Sequence, residues 1–247
     1  MTLAAIAVIS VTIVFSSFLS GVFGMAGGMI LLGVLLVYFD VATGMVVFSI
    51  IQLASNGWRS VLWRHFVRWR IFFEYVCGAV ASFAVMILIA VIPDKAAVYL
   101  SLGAMPFLIE ALPVTWRPNI EWRYVPFVTG VLTTVVQLLT GVGGIFLDIF
   151  FQKSMLDRKT TVATKAVTQT FSHVVRVAYF GTLAGFSKAV PVWSYVPAVL
   201  LAIGGASLAP FVLERLTDHG FRRWTRWIIF GISAVYIARG VLLLWRG

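Results

Sequence analysis

Long apolar runs, broken by short basic or glycine-rich stretches, divide the chain into ten segments. They lie at roughly 3–23, 28–39, 42–63, 71–92, 95–112, 124–141, 143–153, 160–184, 189–213 and 224–245. A helix that crosses the hydrocarbon core of a bilayer needs about 20 apolar residues, and eight of the ten segments are long enough. The second and seventh hold only about 10–12 residues, the length of a half-helix or a re-entrant segment. The pattern predicts an all-α integral membrane protein with eight full spans and two short segments.

Composition narrows the class further. Apolar residues make up 61% of the 247 and charged residues 11%, with a mean hydropathy of +0.99. A soluble domain carries about 45–50% apolar and about 25% charged residues, so a soluble enzyme, a nucleic-acid binder and a disordered chain are excluded. The formal charge of +10 reads as basic loops that hold one side of the membrane, not as a nucleic-acid footprint. The single cysteine, Cys77, cannot form an internal disulfide and sits in an apolar run, where it reads as packing. Residues Met1 to Ile13 carry no Lys or Arg, unlike the charged start of a cleaved signal peptide, so the first segment reads as a mature helix.

The charges then fix an orientation. Arg64, Arg68 and Arg70 follow the third segment, and Arg117 and Arg123 the fifth. Lys153, Arg158 and Lys159 follow the seventh, and Arg222, Arg223 and Arg226 the ninth. Ten segments place all these loops on one side, each short segment either crossing or pairing with its neighbour as a re-entrant hairpin. The other side holds little: Asp40, the Pro93-Asp94-Lys95 turn and Lys188. The positive-inside rule puts both termini on the outer side.

The chain also repeats itself with an offset of about 117 residues. Gly24-Met25-Ala26-Gly27-Gly28 and Gly141-Val142-Gly143-Gly144 each stand between a long segment and a short one. Further on, Gln52, Ser55, Asn56 and Arg59 are matched by Gln169, Ser172, His173 and Arg176. Each half, 1–123 and 124–247, holds about five segments. An odd number gives the halves opposite orientations, an inverted 5+5 repeat of the kind found in secondary transporters.

These paired glycine clusters, the short segments after them and the polar Gln-x-x-Ser helices resemble the TauE/SafE family of sulfite exporters, over nearly the whole chain. The resemblance implies movement of small sulfur-containing anions, such as sulfite, sulfonates or sulfoacetate-type compounds, across the bacterial inner membrane. No proline follows the first glycine cluster, where many relatives have one.

The candidate site follows from the matched positions. Gly27, Gly28, Gly143 and Gly144 precede short helices, whose free N–H groups and positive dipole ends suit an anion; the competing reading is close helix packing through small residues. Gln52, Ser55, Asn56, Gln169, Ser172 and His173 offer hydrogen bonds from one face of each helix. Arg176 lies at midspan, where a charge is functional by default. Arg59, nearer the inner end, reads as a snorkelling side chain, with coupling or gating as its functional alternative. Lys165, a turn below Gln169, is a candidate basic step on the exit path, an interfacial snorkel being the plainer reading. Asp148, in the second short segment, is a candidate proton relay, a structural pair with Lys165 or Arg176 being the plainer reading. Both are candidates for coupling or gating. His173 reads as a hydrogen-bonding histidine, with a coupling proton as its alternative.

Taken together, the chain reads as a secondary transporter that alternates access around a midplane site. The alternatives are an anion channel and a transporter of another small anion such as a carboxylate. No paired carboxylates, Ser-His-Asp set or His-Glu-x-x-His motif points to an enzyme or a metal, and no cofactor motif is present. The partners are the substrate anion and the lipid bilayer, with no nucleic acid. A homo-oligomer stays open, because lipid-facing and partner-facing apolar surfaces look alike.

Overall fold

The computed structural model describes residues 2–23, 26–141, 143–184, 190–213 and 218–246. Gly24, Met25, Val142 and Lys188 lie outside the described residues. Within them the chain is helical, with no strand: α1 (Leu3–Phe23), α2 (Ala26–Tyr38), α3 (Val41–Leu62), α4 (Trp69–Ile89), α5 (Lys95–Ala111), α6 (Val125–Thr140), α7 (Gly144–Phe151), α8 (Arg158–Ala184), α9 (Tyr195–Leu213) and α10 (Asp218–Arg246).

The centre is an antiparallel pair, α3 against α8. Ser60 Oγ and Thr170 Oγ1 lie 3.2 Å apart, and the Arg68 N–H, beyond the end of α3, donates to Thr164 Oγ1 at 3.0 Å near the start of α8. Both helices begin with the same cap. Thr43 donates its N–H to Asp40 Oδ1 at 3.0 Å and its hydroxyl to Oδ2 at 2.6 Å. Thr160 does the same to Asp157, at 3.0 and 2.6 Å. An aspartate here satisfies N–H groups that the helix leaves unused. At Asp40 partial burial raises the pKa, but the bonds from Thr43 outweigh it and hold the carboxyl below its ordinary value. At exposed Asp157 the Thr160 hydroxyl and N–H lower it.

Around this pair α1 packs on α9, α4 on α6, and α5 on α10. If α1–α5 are exchanged with α6–α10, the α1–α9 contact becomes α6–α4, while α3–α8 and α5–α10 map onto themselves. The contacts of α3 with α9 and of α8 with α4 exchange in the same way.

Several basic linkers meet at one end of the molecule. Arg70 reaches the Glu121 carbonyl at 3.5 Å, Glu121 Oε2 accepts from the Met155 N–H at 2.6 Å, Asn119 donates to the Lys153 carbonyl at 3.1 Å, and Arg117 donates to Gln152. Arg226, near the start of α10, pairs with Glu110 at 3.1 Å near the end of α5. Both α6 and α7 have their outer ends here, tied by the Ile120 N–H to the Phe150 carbonyl at 2.8 Å. They form a hairpin that enters from the basic end and turns back at Gly141.

Against the eight full spans expected, five helical stretches among the described residues are both long and apolar enough to cross: Leu3–Val22, Val41–Leu62, Trp69–Ile89, Val192–Ala209 and Arg226–Trp245. The segment expected over 124–141 is α6, whose 16 residues reach about 24 Å, short of the ~30 Å hydrocarbon core. α5, at 17 residues, also falls short. α8 has 27 residues but is too polar to count as an apolar span, because one of its faces lines the interior site. Of the five, α3 is the most enclosed and α10 the least. Cys77, expected to pack, is exposed on α4.

Candidate functional site

A cavity lies where the start of α2 and the α6–α7 turn approach the α3–α8 pair. On α3 it is lined by Phe48, Gln52, Asn56 and Arg59, and on α8 by Gln169, Ser172, His173 and Arg176. Spacings of three and four residues put each set on one helix face. Gly28 of α2, Thr133 and Gln137 of α6, and Gly141, Gly143, Gly144 and Leu147 at the α6–α7 turn complete the lining. The free volume is about 30 Å³, enough for about two waters. A larger anion needs its lining side chains to move apart.

Among the described residues the lining contains two arginines and no carboxylate. Arg176 is 1% exposed. Its Nη2 lies 3.4 Å from Gln137 Oε1, its guanidinium sits 5.1 Å from the centre of the Phe48 ring, and its Nε and Nη1 have no partner. Arg59 does not snorkel outward as its sequence position suggests. It turns inward, donating from Nη1 to the Ser20 carbonyl at 3.0 Å and from Nη2 to Asn56 Oδ1, with Nε unpartnered. His173 Nδ1 and Gln52 Oε1 also lack partners, and the His173 ring stands edge-on to Phe48 at 5.6 Å. A buried polar group without a hydrogen bond costs about 1–3 kcal/mol, more when charged. Unused guanidinium N–H groups gathered around one cavity suit a ligand rich in acceptor oxygens.

Neighbours hold these groups in place. The Ser172 hydroxyl bonds to the Thr168 carbonyl at 2.9 Å and lies 2.6 Å from the Tyr75 hydroxyl, while Gln137 Nε2 donates to the Ser172 carbonyl at 3.1 Å. The Leu147 N–H makes the first backbone bond of α7, to the Gly143 carbonyl at 2.8 Å. The N–H groups of Gly144, Ile145 and Phe146 are therefore left unused by the helix, and its positive dipole end faces the cavity.

The glycines divide between two jobs. Gly28, Gly143 and Gly144 line the cavity, but Gly27, expected there, does not. A Cβ at Gly27 would overlap the Ser16 carbonyl, so this glycine lets α2 start hard against α1. Gly143 serves the same close approach, its Cβ position lying 2.8 Å from Gln137 Cβ and 2.9 Å from Thr133 Cγ2. Gly141 ends α6 at φ +83°, a conformation in which a side chain is strained.

Ser55 is also off the cavity, wholly buried with its hydroxyl unpartnered. Asp148 and Lys165 pair with each other between α7 and α8, outside the lining and on its basic-end side. The positions of Lys165 and Asp148 correspond in the first half to Phe48 and to Leu31 or Leu32. Among the described residues no group of three His, Cys, Asp or Glu is placed to hold a metal.

Five lining residues lie outside the expected site: Phe48, Thr133, Gln137, Gly141 and Leu147. Three of them carry a signal. Gly141 opens the second glycine cluster. Thr133 and Gln137 stand 117 positions after Ser16 and Ser20, and Ser20 receives the Arg59 hydrogen bond as Gln137 faces Arg176.

Comparison with known families gives a match. The model of the sulfite exporter TauE/SafE family covers residues 9–237. The comparison with curated proteins gives no match, and neither does the comparison with solved structures.

Proposed function

The chain belongs to the sulfite exporter TauE/SafE family, and from that premise we propose that it is a secondary transporter that holds a small sulfur-containing anion, such as sulfite or a sulfonate, between Arg59 and Arg176. The observation that carries the reading is the pair of inward-facing arginines in a lining without a carboxylate. Membership of a transport family and several apolar helices support a membrane transporter rather than an enzyme.

In this reading Arg176 is the principal anion contact. Its Nε and Nη1 are unused, and its neighbours Gln137 and Phe48 do not neutralise it. Arg59, Gln52, Gln169, Asn56 and His173 supply further polar contacts, and the α7 N-terminus adds N–H groups without a further net charge to trap the ligand. The halves 1–123 and 124–247 act as inverted repeats, and access alternates as one rocks against the other. The exchangeable packing of α1–α5 with α6–α10 supports this. On the basic-end side the Asp148–Lys165 pair gates the site; on the far side the matching positions are apolar. The basic end faces the cytoplasm, both termini face outward, and the membrane is the bacterial inner membrane.

The test is flux in proteoliposomes. Parent protein takes up sulfite with saturation and shows counterflow, and Arg176→Gln abolishes both. Uptake that never saturates indicates a channel, and uptake unchanged in Arg176→Gln rules out this site.

A further inference from the structure

A second cavity, away from the anion site, opens toward the membrane between α2, α5 and α10, with a volume of about 330 Å³. Ile30, Val34 and Val37 of α2 rise along one wall, and Ile232, Val235 and Arg239 of α10 along the other. Both helices run away from the basic end, so Val37 and Arg239 stand at the mouth and Ile30 and Ile232 at the deep end. Seven residues of helix make the slot about 10 Å long. Its floor is two tyrosines in tilted contact, Tyr99 and Tyr236, with ring centres 5.6 Å apart and planes 58° apart. Their hydroxyls are already used, donating to the Gly33 carbonyl at 2.9 Å and to the Met29 carbonyl.

Arg239 is therefore the free polar group of an otherwise apolar slot. It is exposed, and among the described residues it has no hydrogen bond or ion pair. It lies six residues before Trp245, the end of the span, or about 9 Å below that end. A cation on an apolar membrane-facing surface is costly unless it meets an anion or reaches the headgroup level. Charge at the mouth and hydrocarbon lining below is the complement of one phospholipid molecule.

We propose that the groove between α2, α5 and α10 binds an anionic phospholipid of the leaflet at the Trp245 end, its phosphodiester on Arg239 and an acyl chain along Val34 and Ile232. The slot is apolar below a single charge and about as long as part of an acyl chain, which fits a lipid better than a folded surface. Nothing in this site depends on what the central cavity carries.

The experiment uses delipidated full-length protein in detergent, with native mass spectrometry and melting curves. The probes are phosphatidylglycerol, phosphatidylcholine and soluble glycerol phosphate, on the parent, Arg239→Gln, Arg239→Lys and Val34→Trp. A basic residue near the membrane surface contributes about fivefold in affinity for anionic lipid. The parent should therefore retain phosphatidylglycerol about fivefold better than Arg239→Gln, and Arg239→Lys should recover most of that. Val34→Trp, which fills the slot, should lose the bound lipid while its circular dichroism stays helical; if it fails to fold, the Gln–Lys comparison decides alone. Equal retention by the parent and Arg239→Gln overturns the proposal. Glycerol phosphate that binds as well as the lipid overturns it in favour of a plain anion site. A dimer lost in Arg239→Gln, with lipid retention unchanged, overturns it in favour of an interface between copies.

Discussion

Two arginines 117 positions apart face the same cavity, yet they are held differently. Arg59 spends two of its nitrogens on the Ser20 carbonyl and Asn56. Arg176 has one long contact to Gln137 and two unpartnered nitrogens. The surrounding positions diverge in the same way: Phe48 against Lys165, and Leu31 or Leu32 against Asp148. The shared features are those of the frame, including the Asp-x-x-Thr caps and the glycine that seats each short helix. The differing ones decide which arginine is free and which side is closed by charge. A duplicated frame thus carries an asymmetric site.

The strongest challenge to this comparison is to remove each arginine in turn. Arg176→Gln should lower anion affinity by about 10–100-fold, since a hydrogen bond to a charged group is worth about 1.5–3 kcal/mol. Arg59→Gln should cost less, because two of its three nitrogens are already bonded within the protein. Calorimetric titration with sulfite measures both, and a larger loss at Arg59 would break the assignment.

The gate asymmetry gives the next effect. Lys165→Met alone leaves Asp148 unpaired in a partly buried place, and should destabilise by about 1–3 kcal/mol. The double change Asp148→Leu/Lys165→Phe, which installs the first half's chemistry, should recover stability and alter the transport rate more than the affinity. Recovery of neither would sink the pairing of these positions.

The glycine seats offer a comparison of similar or smaller size. Gly27→Ala overlaps the Ser16 backbone carbonyl, while the nearest atoms to a Gly143→Ala methyl lie farther off, at 2.8 and 2.9 Å. Overpacking costs about 1–3 kcal/mol, so the melting temperature should fall further for Gly27→Ala. Affinity should fall further for Gly143→Ala, whose glycine lines the cavity.

The caps should differ least. Both carboxyls have lowered pKa values, so each adds stability above its unfolded pKa that is lost as pH falls through the folded one. Asp40→Ala should cost about 1 kcal/mol at neutral pH and remove that share of the acid sensitivity. Asp157→Ala should act in the same direction. Melting curves from neutral pH down to pH 3 check both.

The helices were largely legible because apolar runs bounded by charge and glycine can be little else. The segment read at 42–63 is α3, Val41–Leu62, and the one at 143–153 is α7, Gly144–Phe151. Seven of the eight residues that α3 and α8 present to the cavity belong to matched pairs in the sequence: Gln52 with Gln169, Asn56 with His173, Arg59 with Arg176, and Ser172, whose partner Ser55 lies off the cavity. What could not be read was the direction a residue faces. Gly27 and Gly28 are neighbours in a glycine cluster, but one seats a helix and the other lines the cavity. In a membrane helix the buried and lipid-facing sides are both apolar, so periodicity does not tell them apart. Thr133 and Gln137, polar and one turn apart on α6, stand out less than the Gln-x-x-Ser helices because no charge accompanies them.

The most direct test of an anion seated on Arg176 is a melting series of the purified parent and Arg176→Gln with sulfite, thiosulfate, sulfate, taurine, sulfoacetate and chloride. A ligand that binds only the folded form raises the melting temperature with concentration. Stabilisation of the parent by one sulfur anion, lost in Arg176→Gln, is the predicted result. No shift with any sulfur anion up to millimolar levels, or a shift that Arg176→Gln keeps in full, would contradict it.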